Sequence, residues 1–292
     1  MAERGSFVRH SYEEVTCGKG GDAEALVMRR AALEKPIGRV VVLHGLGDAP
    51  VSWFRCLKSA LPRHELLLPA IPGAGRGPLP PGRDHLTHKE TRVWLGDLLE
   101  RILDETEGPV RLVGHSLGGW LMSRAVLDAP HILERCGPHI LINTAGTWYD
   151  GVERERELLT PKTHEEVDEL LSLLYADDPD LPIEVIDAML KTMRSPSYQG
   201  LLRSTTKDDF LEPADLERLP EGMGLVWGEK DRLVPPEAFE RLKEHLPAPR
   251  VVTLDDVGHA PHMEAPDRLA KVLEDLLDEE TLRPDATVSE RA

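Results

Sequence analysis

Six short apolar runs alternate with helix-like segments along this chain, and that alternation constrains the fold more than any other feature of the sequence. The runs are continuous rather than alternating, as is typical of parallel strands that are buried on both faces. They lie at residues 39–44, 65–68, 110–113, 139–142, 224–227 and 250–254. Amphipathic stretches such as residues 91–104 lie between them. The pattern predicts an α/β fold: a mostly parallel, twisted sheet with helices on both faces.

The alternation breaks between residues 146 and 220, where no convincing strand occurs. Thr163 followed by Glu166 forms a capping-box pattern that opens one helix, and Pro182 stands where a second helix begins. We interpret this region as a helical insertion, here called the cap, over the carboxyl edge of the sheet. Ligands of open α/β sheets bind at that edge.

These patterns predict a core that the cap interrupts. At the start of the chain, residues 7–10 and 25–28 are expected to pair as an antiparallel edge of the sheet. We expect residues 1–145 and 221–279 to form the core and residues 146–220 to form the cap. Residues 280–292 are expected to form a disordered polar tail.

Charge and cysteine content limit the partners. The 292 residues carry a formal net charge of −17, which disfavours nucleic acid and anionic membranes because both would repel the chain. Cys17, Cys56 and Cys136 have neither metal-ligand nor redox spacing. No secretory signal opens the chain, and no apolar run is long enough to span a membrane. We therefore expect a cytoplasmic monomer or homodimer that acts on a neutral or apolar small molecule.

Gly114-His115-Ser116-Leu117-Gly118 is the motif that points to chemistry. It lies between a strand-like run and a helix-like run, which is the context of a nucleophile elbow, where a serine occupies a sharp turn. Glycines are expected beside that serine because a Cβ there would hit neighbouring backbone. Ser116 is the predicted nucleophile, and the alternative is an ordinary serine at a helix N-terminus.

A serine hydroxyl needs a base, usually a histidine, that a carboxylate orients. His259 is the candidate base because it follows the last predicted strand, and its rival His262 lies nearer the last helix, where packing is expected. Asp231 is the candidate acid, in the loop after the preceding strand, with Glu229 as a local rival. Asn143 follows the strand before that one, but it cannot carry the charge.

The oxygen that becomes negative during acyl transfer needs N–H donors aimed at it. We assign the backbone amides of Leu46 and Leu117 to this role, although the turn at residues 44–47 also suits a plain entry into the next helix. Apolar cap residues are expected to form a pocket for an acyl chain; the alternative is a cap that packs only on itself. The predicted substrate-binding residues are His44, Gly45, Leu171, Leu174, Ile186 and Met189.

With these residues placed, the chain resembles the α/β-hydrolase fold superfamily, of the serine-esterase and lipase type. The resemblance covers residues 40–277, and the candidates follow one another in the order Ser116, Asp231, His259. The matching motifs are His44-Gly45-Leu46-Gly47, Gly114-His115-Ser116-Leu117-Gly118-Gly119, Trp227-Gly228-Glu229-Lys230-Asp231 and Gly258-His259-Ala260-Pro261-His262-Met263-Glu264-Ala265-Pro266.

Two further segments bear on this resemblance. Residues 160–166 of the cap are faintly similar to the cap of monoacylglycerol-lipase-like members. Residues 70–77 keep the proline and glycines of the family's Asp-x-Pro-Gly-x-Gly-x-Ser turn but lack its Asp and its final Ser. The resemblance therefore leaves open which polar groups brace the oxyanion loop.

The resemblance implies a serine hydrolase that cleaves carboxylic esters of small to medium apolar substrates through an acyl-enzyme intermediate, without a metal or an organic cofactor. The same residues could cleave a C–C bond of a ring-cleavage diketone, for which Arg194 or Arg203 could supply a cation, or an amide. A non-enzymatic ligand receptor on this scaffold is a third possibility. Epoxide and haloalkane hydrolases are disfavoured because they use Asp where Ser116 stands.

Overall fold

The computed structural model describes residues 12–17 and 24–277, whose eight strands form one sheet in the order β1-β2-β4-β3-β5-β6-β7-β8. The strands are β1 (Glu13–Cys17), β2 (Ala25–Arg30), β3 (Gly38–Leu43), β4 (His64–Pro69), β5 (Val110–His115), β6 (Ile140–Ile142), β7 (Gly224–Gly228) and β8 (Arg250–Leu254). β2 pairs antiparallel with β1 and β4, and the remaining neighbours are parallel. The mostly parallel α/β fold predicted from the sequence is confirmed.

Helices fill most of the connections between strands. They are α1 (Phe54–Leu57), α2 (His88–Asp104), α3 (Leu117–Asp128), α4 (Pro130–Arg135), α5 (Val152–Leu158), α6 (His164–Leu174), α7 (Ile183–Met193), α8 (Pro196–Ser204), α9 (Pro213–Leu216), α10 (Pro236–His245), α11 (Pro261–Glu264) and α12 (Pro266–Leu277). Two 3₁₀ turns lie at Pro50–Trp53 and Lys207–Asp209.

The two large apolar clusters lie on opposite faces of the sheet. Neighbouring strand residues such as Val40 and Val41 belong to different clusters, because successive side chains of a strand point to opposite faces. One cluster includes side chains of α2 and α3, and the other includes side chains of α1 and α12. Helices therefore cover both faces, which leaves the carboxyl ends of the strands as the open edge of the sheet.

The N-terminal edge differs from the sequence expectation in one of its two strands. Residues 25–28 do belong to an edge strand, β2, which pairs antiparallel with β1 at Glu13–Cys17. The other expected partner, residues 7–10, lies outside the described residues, as does the expected tail at 280–292.

The described segment between β6 and β7 holds helices α5 to α9 and no strand. α6 begins at the predicted Thr163, whose side chain accepts a hydrogen bond from the Glu166 amide, and α7 begins directly after Pro182. The division into core and cap at residues 146 and 220 stays a proposal. None of the helices described here combines the length and the apolar character needed to cross a bilayer.

Candidate active site

Ser116 is the single residue between β5 and α3, and it adopts φ 50° and ψ −121°. A positive φ on a residue other than glycine stores about 1–3 kcal/mol of strain, so the surrounding structure must hold it. The Ser116 amide donates to the Ile142 carbonyl at 3.0 Å, and the Ser116 carbonyl accepts from the Thr144 hydroxyl at 3.1 Å. The sharp strand-to-helix turn expected at Ser116 is present.

The glycines around Ser116 are required by close backbone contacts, as the sequence predicted. A Cβ on Gly114 would lie 2.5 Å from the Gly119 Cα, and a Cβ on Gly118 would lie 2.3 Å from the Leu43 carbonyl oxygen. Backbone atoms cannot move aside as a flexible side chain can. Glycine at these positions therefore lets the start of α3 approach the ends of β3 and β5.

Asp231 and His259 form a buried, hydrogen-bonded pair, with side chains 0% and 4% exposed. His259 Nδ1 lies 2.7 Å from Asp231 Oδ2, which also accepts from Asn143 Nδ2 at 2.8 Å. Asp231 Oδ1 accepts from the amides of Leu233 at 2.9 Å and Val234 at 3.0 Å. Because the carboxylate accepts at Nδ1–H, the hydrogen-bond network assigns the free lone pair of the imidazole to Nε2.

The environment of His259 favours its protonated form. Burial by itself lowers the pKa of the imidazole, but the charge and the hydrogen bond of Asp231 oppose it, with smaller contributions from Glu155 and Glu264. The net effect is a pKa above the ordinary value. A histidine in this setting suits a base that becomes positively charged during a reaction. The rival acid Glu229 is exposed to solvent.

Asn143 is a positioning residue that the sequence argument set aside. The sequence shows only that Asn143 lacks the charge of a carboxylate. In the structure its side-chain amide donates to Asp231, while its Oδ1 accepts from the Gly228 amide at 3.1 Å. Its place directly after β6, at the same edge as Asp231, was the signal that could have identified it.

The backbone around His259 is fixed by side chains that the sequence argument also left without a role. Glu264 accepts from the amides of Gly258 at 3.0 Å and Ala260 at 3.1 Å, on either side of His259. The His115 imidazole donates from Nε2 to the His259 carbonyl at 2.7 Å. These contacts hold the loop that carries the imidazole.

The loop after β3 lies against Ser116. A Cβ on Gly45 would be 3.3 Å from the Ser116 Cβ. The amides of Leu46, in the loop after β3, and of Leu117, which follows Ser116, are not donors in the described hydrogen bonds between backbone groups outside helices and strands. Their positions leave them available as a pair of oxyanion donors, and that role stays a proposal.

His44 braces this loop and does not line the cavity beside Ser116, contrary to the expectation that it binds substrate. Its Nε2 accepts from the Ile71 amide at 3.1 Å, so Nδ1 carries the proton and donates to the Gly45 carbonyl at 2.9 Å. Burial lowers the pKa of His44, which keeps the ring neutral. His44 thus supplies polar contacts that brace this loop, where the turn at residues 70–77 lacks the family's Asp and final Ser.

Ser116 and His259 line one cavity of about 430 Å³ under the cap helices. Of the remaining predicted substrate-binding residues, Gly45, Leu174 and Met189 line it, and Leu171 and Ile186 do not. The difference is one of helical phase. The cavity-lining residues are Leu170 and Leu174 on α6, and Val185, Ala188, Met189, Thr192 and Met193 on α7. The rows one position along face each other in a separate cluster of Val167, Leu171, Ile186 and Leu190.

His262, the rival base, packs as expected. Its ring stacks on Trp53 at a centroid distance of 4.4 Å, and its Nε2 lies 3.3 Å from Asp48 Oδ2. Donor atoms of Asp48, His115 and His262 lie within 4.8 Å of one another. Two atoms that bind the same zinc ion lie about 3.3 Å apart, because each is about 2.0 Å from the metal. The spread of 4.8 Å is therefore wider than a zinc site requires. We assign these contacts to packing, with the Asp48 carboxyl group lying close to the His262 ring.

Comparison with known proteins relates the sequence and the fold of this chain to hydrolases. Residues 40–272 match the model of a family described as alpha/beta hydrolase. Lipase 1 of Psychrobacter immobilis is 24% identical over 243 residues, which are 79% of this chain and 74% of the lipase. A 2-hydroxy-6-oxononadienedioate/2-hydroxy-6-oxononatrienedioate hydrolase of Escherichia coli is 26% identical over 239 residues, 75% of this chain and 80% of that protein. The solved structure of a membrane phospholipase A has a TM-score of 0.77 at 20% identity, covering 95% of this chain and 90% of that one.

Proposed function

Because the chain belongs to the alpha/beta hydrolase family, we propose that it is a serine hydrolase that cleaves carboxylic esters of small to medium apolar molecules. One observation carries the proposal. Ser116, held in a strained turn, and His259, oriented by Asp231, line the same largely apolar cavity. A nucleophile, a base and an orienting acid are the parts that acyl transfer to serine requires.

In the proposed reaction, Ser116 Oγ attacks the ester carbonyl carbon while its proton passes to His259 Nε2. The amides of Leu46 and Leu117 bind the oxygen that becomes negative. The tetrahedral intermediate then loses the alcohol, which takes the proton from Nε2, and an acyl-enzyme is left. Water attacks this ester by the same route and restores the serine. Asp231 keeps the imidazole in the required tautomer throughout.

Cleavage of a C–C bond is the second candidate, since the relative from Escherichia coli is named for a dienedioate hydrolase. A dienedioate carries two carboxylates, whereas the cavity wall here includes the carboxyl groups of Asp48 and Glu155. Arg156 also lines this wall, but its guanidinium donates to the Thr205 carbonyl and pairs with Glu153. Arg194 and Arg203, the cations considered for a diketone, are exposed and are not among the residues that line the cavity. These observations favour an ester over a dianionic diketone.

Ser116→Ala tests the proposal. We expect turnover of p-nitrophenyl butyrate to fall on the order of 10⁶-fold, and labelling by a fluorophosphonate probe to disappear. Ser172→Ala, which changes an exposed serine of the cap, is the matched control and should leave both unchanged. An unlabelled wild-type Ser116 that still binds esters would favour a receptor. Faster turnover of diketones or amides than of esters would favour the other enzymes.

Three further proposals are open to direct test. The cap boundaries at residues 146 and 220 predict that limited proteolysis will cut there before it cuts the core. A monomer or homodimer predicts a single species of the corresponding mass by light scattering. A cytoplasmic location predicts that the protein will fractionate with the cytoplasm of its cell.

A further inference from the structure

A carboxyl group lies in the mostly apolar cavity wall, on helix α5. Glu155 lines the cavity together with apolar neighbours such as Val152 and Leu159. The Tyr149 hydroxyl donates a hydrogen bond to Glu155 Oε2. The hydrogen bonds among the described residues engage only this one of its two carboxyl oxygens, so Oε1 is left for another donor.

The other charged residues of the wall already have partners. Asp48 lies beside His262, with 3.3 Å between Oδ2 and Nε2. Arg156 donates to the Thr205 carbonyl and forms an ion pair with a glutamate of its own helix. Among the described residues, Glu155 has no basic side chain within ion-pair distance, whereas Asp48 lies beside His262 and Arg156 pairs with Glu153.

An acceptor in such surroundings gains most from a donor that a ligand brings. Burial raises the pKa of Glu155, and the Tyr149 hydrogen bond and the charge of His259 only partly oppose this. A polar group in an apolar wall costs free energy until it is hydrogen-bonded, so a ligand that supplies the bond is favoured over one that does not. A few placed polar groups in an apolar pocket are what fix the orientation of a small ligand.

We propose that Glu155, anchored by Tyr149, is a specificity-determining residue that selects esters carrying a second hydrogen-bond donor, a hydroxyl or an ammonium group, and disfavours esters carrying a carboxylate. The inference rests on the proposed ester hydrolysis and names the substrate class within it. Glu155 takes no part in bond making. Glu155 determines which end of the substrate lies against α5 when the ester carbonyl lies at Ser116.

The test uses esters that differ only in one terminal group. On the acyl side these are ethyl heptanoate, ethyl 6-hydroxyhexanoate, ethyl 6-aminohexanoate and monoethyl heptanedioate; on the alcohol side they are pentyl acetate and 4-hydroxybutyl acetate. The measured quantity is kcat/KM by pH-stat, as a ratio to the methyl-terminated ester. We expect wild type to prefer the hydroxyl or ammonium ester in at least one series.

Glu155→Gln keeps the shape of the side chain and removes its charge. We expect it to lower the hydroxyl-to-methyl and ammonium-to-methyl ratios about tenfold and to raise the relative rate on monoethyl heptanedioate. Tyr149→Phe, which removes the anchor, should lower the same ratios less. Glu157→Gln, an exposed residue of the same helix with the same change of charge, should leave them at the wild-type values.

The outcomes separate the two proposals. If wild type hydrolyses the esters and all ratios are the same in Glu155→Gln and Glu157→Gln, the specificity role is wrong and the ester hydrolase stands. If Glu155→Gln shifts the acid limb of the pH profile equally for every ester without changing a ratio, Glu155 acts only through His259, and the inference is again overturned. If wild type hydrolyses none of them and a fluorophosphonate leaves Ser116 unlabelled, both proposals fall.

Discussion

Replacing Asp231 by Asn isolates the part of the site that fixes the imidazole tautomer. Asp231 accepts four hydrogen bonds, two at each carboxyl oxygen, and its side chain is fully buried. Asparagine has the same shape but presents an NH₂ group in place of one oxygen. Whichever way the amide turns, that NH₂ group faces two N–H donors.

The least costly orientation of the introduced asparagine keeps its side-chain oxygen as the acceptor for the backbone amides of Leu233 and Val234. The new NH₂ then points at His259 and Asn143. Asn143 cannot turn over without losing its bond from the Gly228 amide. His259 can switch tautomer and accept at Nδ1, but its proton then sits on Nε2, where the serine proton must be received.

We expect the Asp231→Asn protein to fold, with a loss of roughly 1–3 kcal/mol for donors left without acceptors, and kcat to fall about 10⁴-fold because the base is in the wrong tautomer. At 1.36 kcal/mol per decade, that is about 5.4 kcal/mol of transition-state stabilisation. The two effects are separable because they appear in different measurements, one in the free energy of unfolding and the other in the rate.

The assay is the single-turnover and steady-state hydrolysis of p-nitrophenyl butyrate, with urea unfolding followed by circular dichroism. Glu229→Gln removes an equal charge from an exposed residue of the same loop and should change neither quantity by more than about 0.5 kcal/mol. A folded Asp231→Asn protein that keeps a tenth or more of the wild-type kcat would refute the assignment of Asp231.

His259 and the glycines near Ser116 give two other predictions. The base must be neutral to accept a proton, so kcat/KM should fall as the pH drops through the raised pKa of His259. The midpoint of this pH profile should lie above the ordinary histidine pKa of about 6.5. A midpoint below 6 would contradict the role of the Asp231 charge. Gly118→Ala places a Cβ 2.3 Å from the Leu43 carbonyl oxygen and should lower stability by about 1–3 kcal/mol. Gly96→Ala on α2 adds a Cβ with no neighbouring atom within 4 Å, so it should raise stability by about 0.5–1 kcal/mol. Equal melting temperatures for the two variants would contradict the packing argument.

The core of the fold could be predicted because its strands are buried on both faces. A parallel strand such as β3 or β5 must be apolar along most of its length, so its position is visible in the sequence. The triad candidates followed from the same logic, since the carboxyl ends of parallel strands meet at one edge. Ser116, Asp231 and His259 each come directly or shortly after a strand.

The cap could not be predicted at the same level. α6 and α7 each carry two adjacent rows of apolar side chains, and one row packs within the cap while the next lines the cavity. Leu171 and Leu174 therefore look equivalent in the sequence, although their neighbours differ. Only the rotation of each helix about its axis decides which row meets the ligand, and that rotation depends on contacts distant along the chain.

The braces of the site escaped prediction for a different reason, because their function depends on a partner rather than on a residue type. His44 looked like part of a ligand-binding turn, yet both of its ring nitrogens are engaged by backbone groups, Ile71 N–H and Gly45 carbonyl. A neutral imidazole can hold two loops together without placing a charge beside the proposed oxyanion. A carboxylate in that place, even about 8 Å away, would oppose the oxyanion by about 2 kcal/mol at an effective dielectric constant of 20. Burial, which lowers the pKa of His44, is thus what makes histidine a suitable replacement for the missing polar residues of the turn at 70–77.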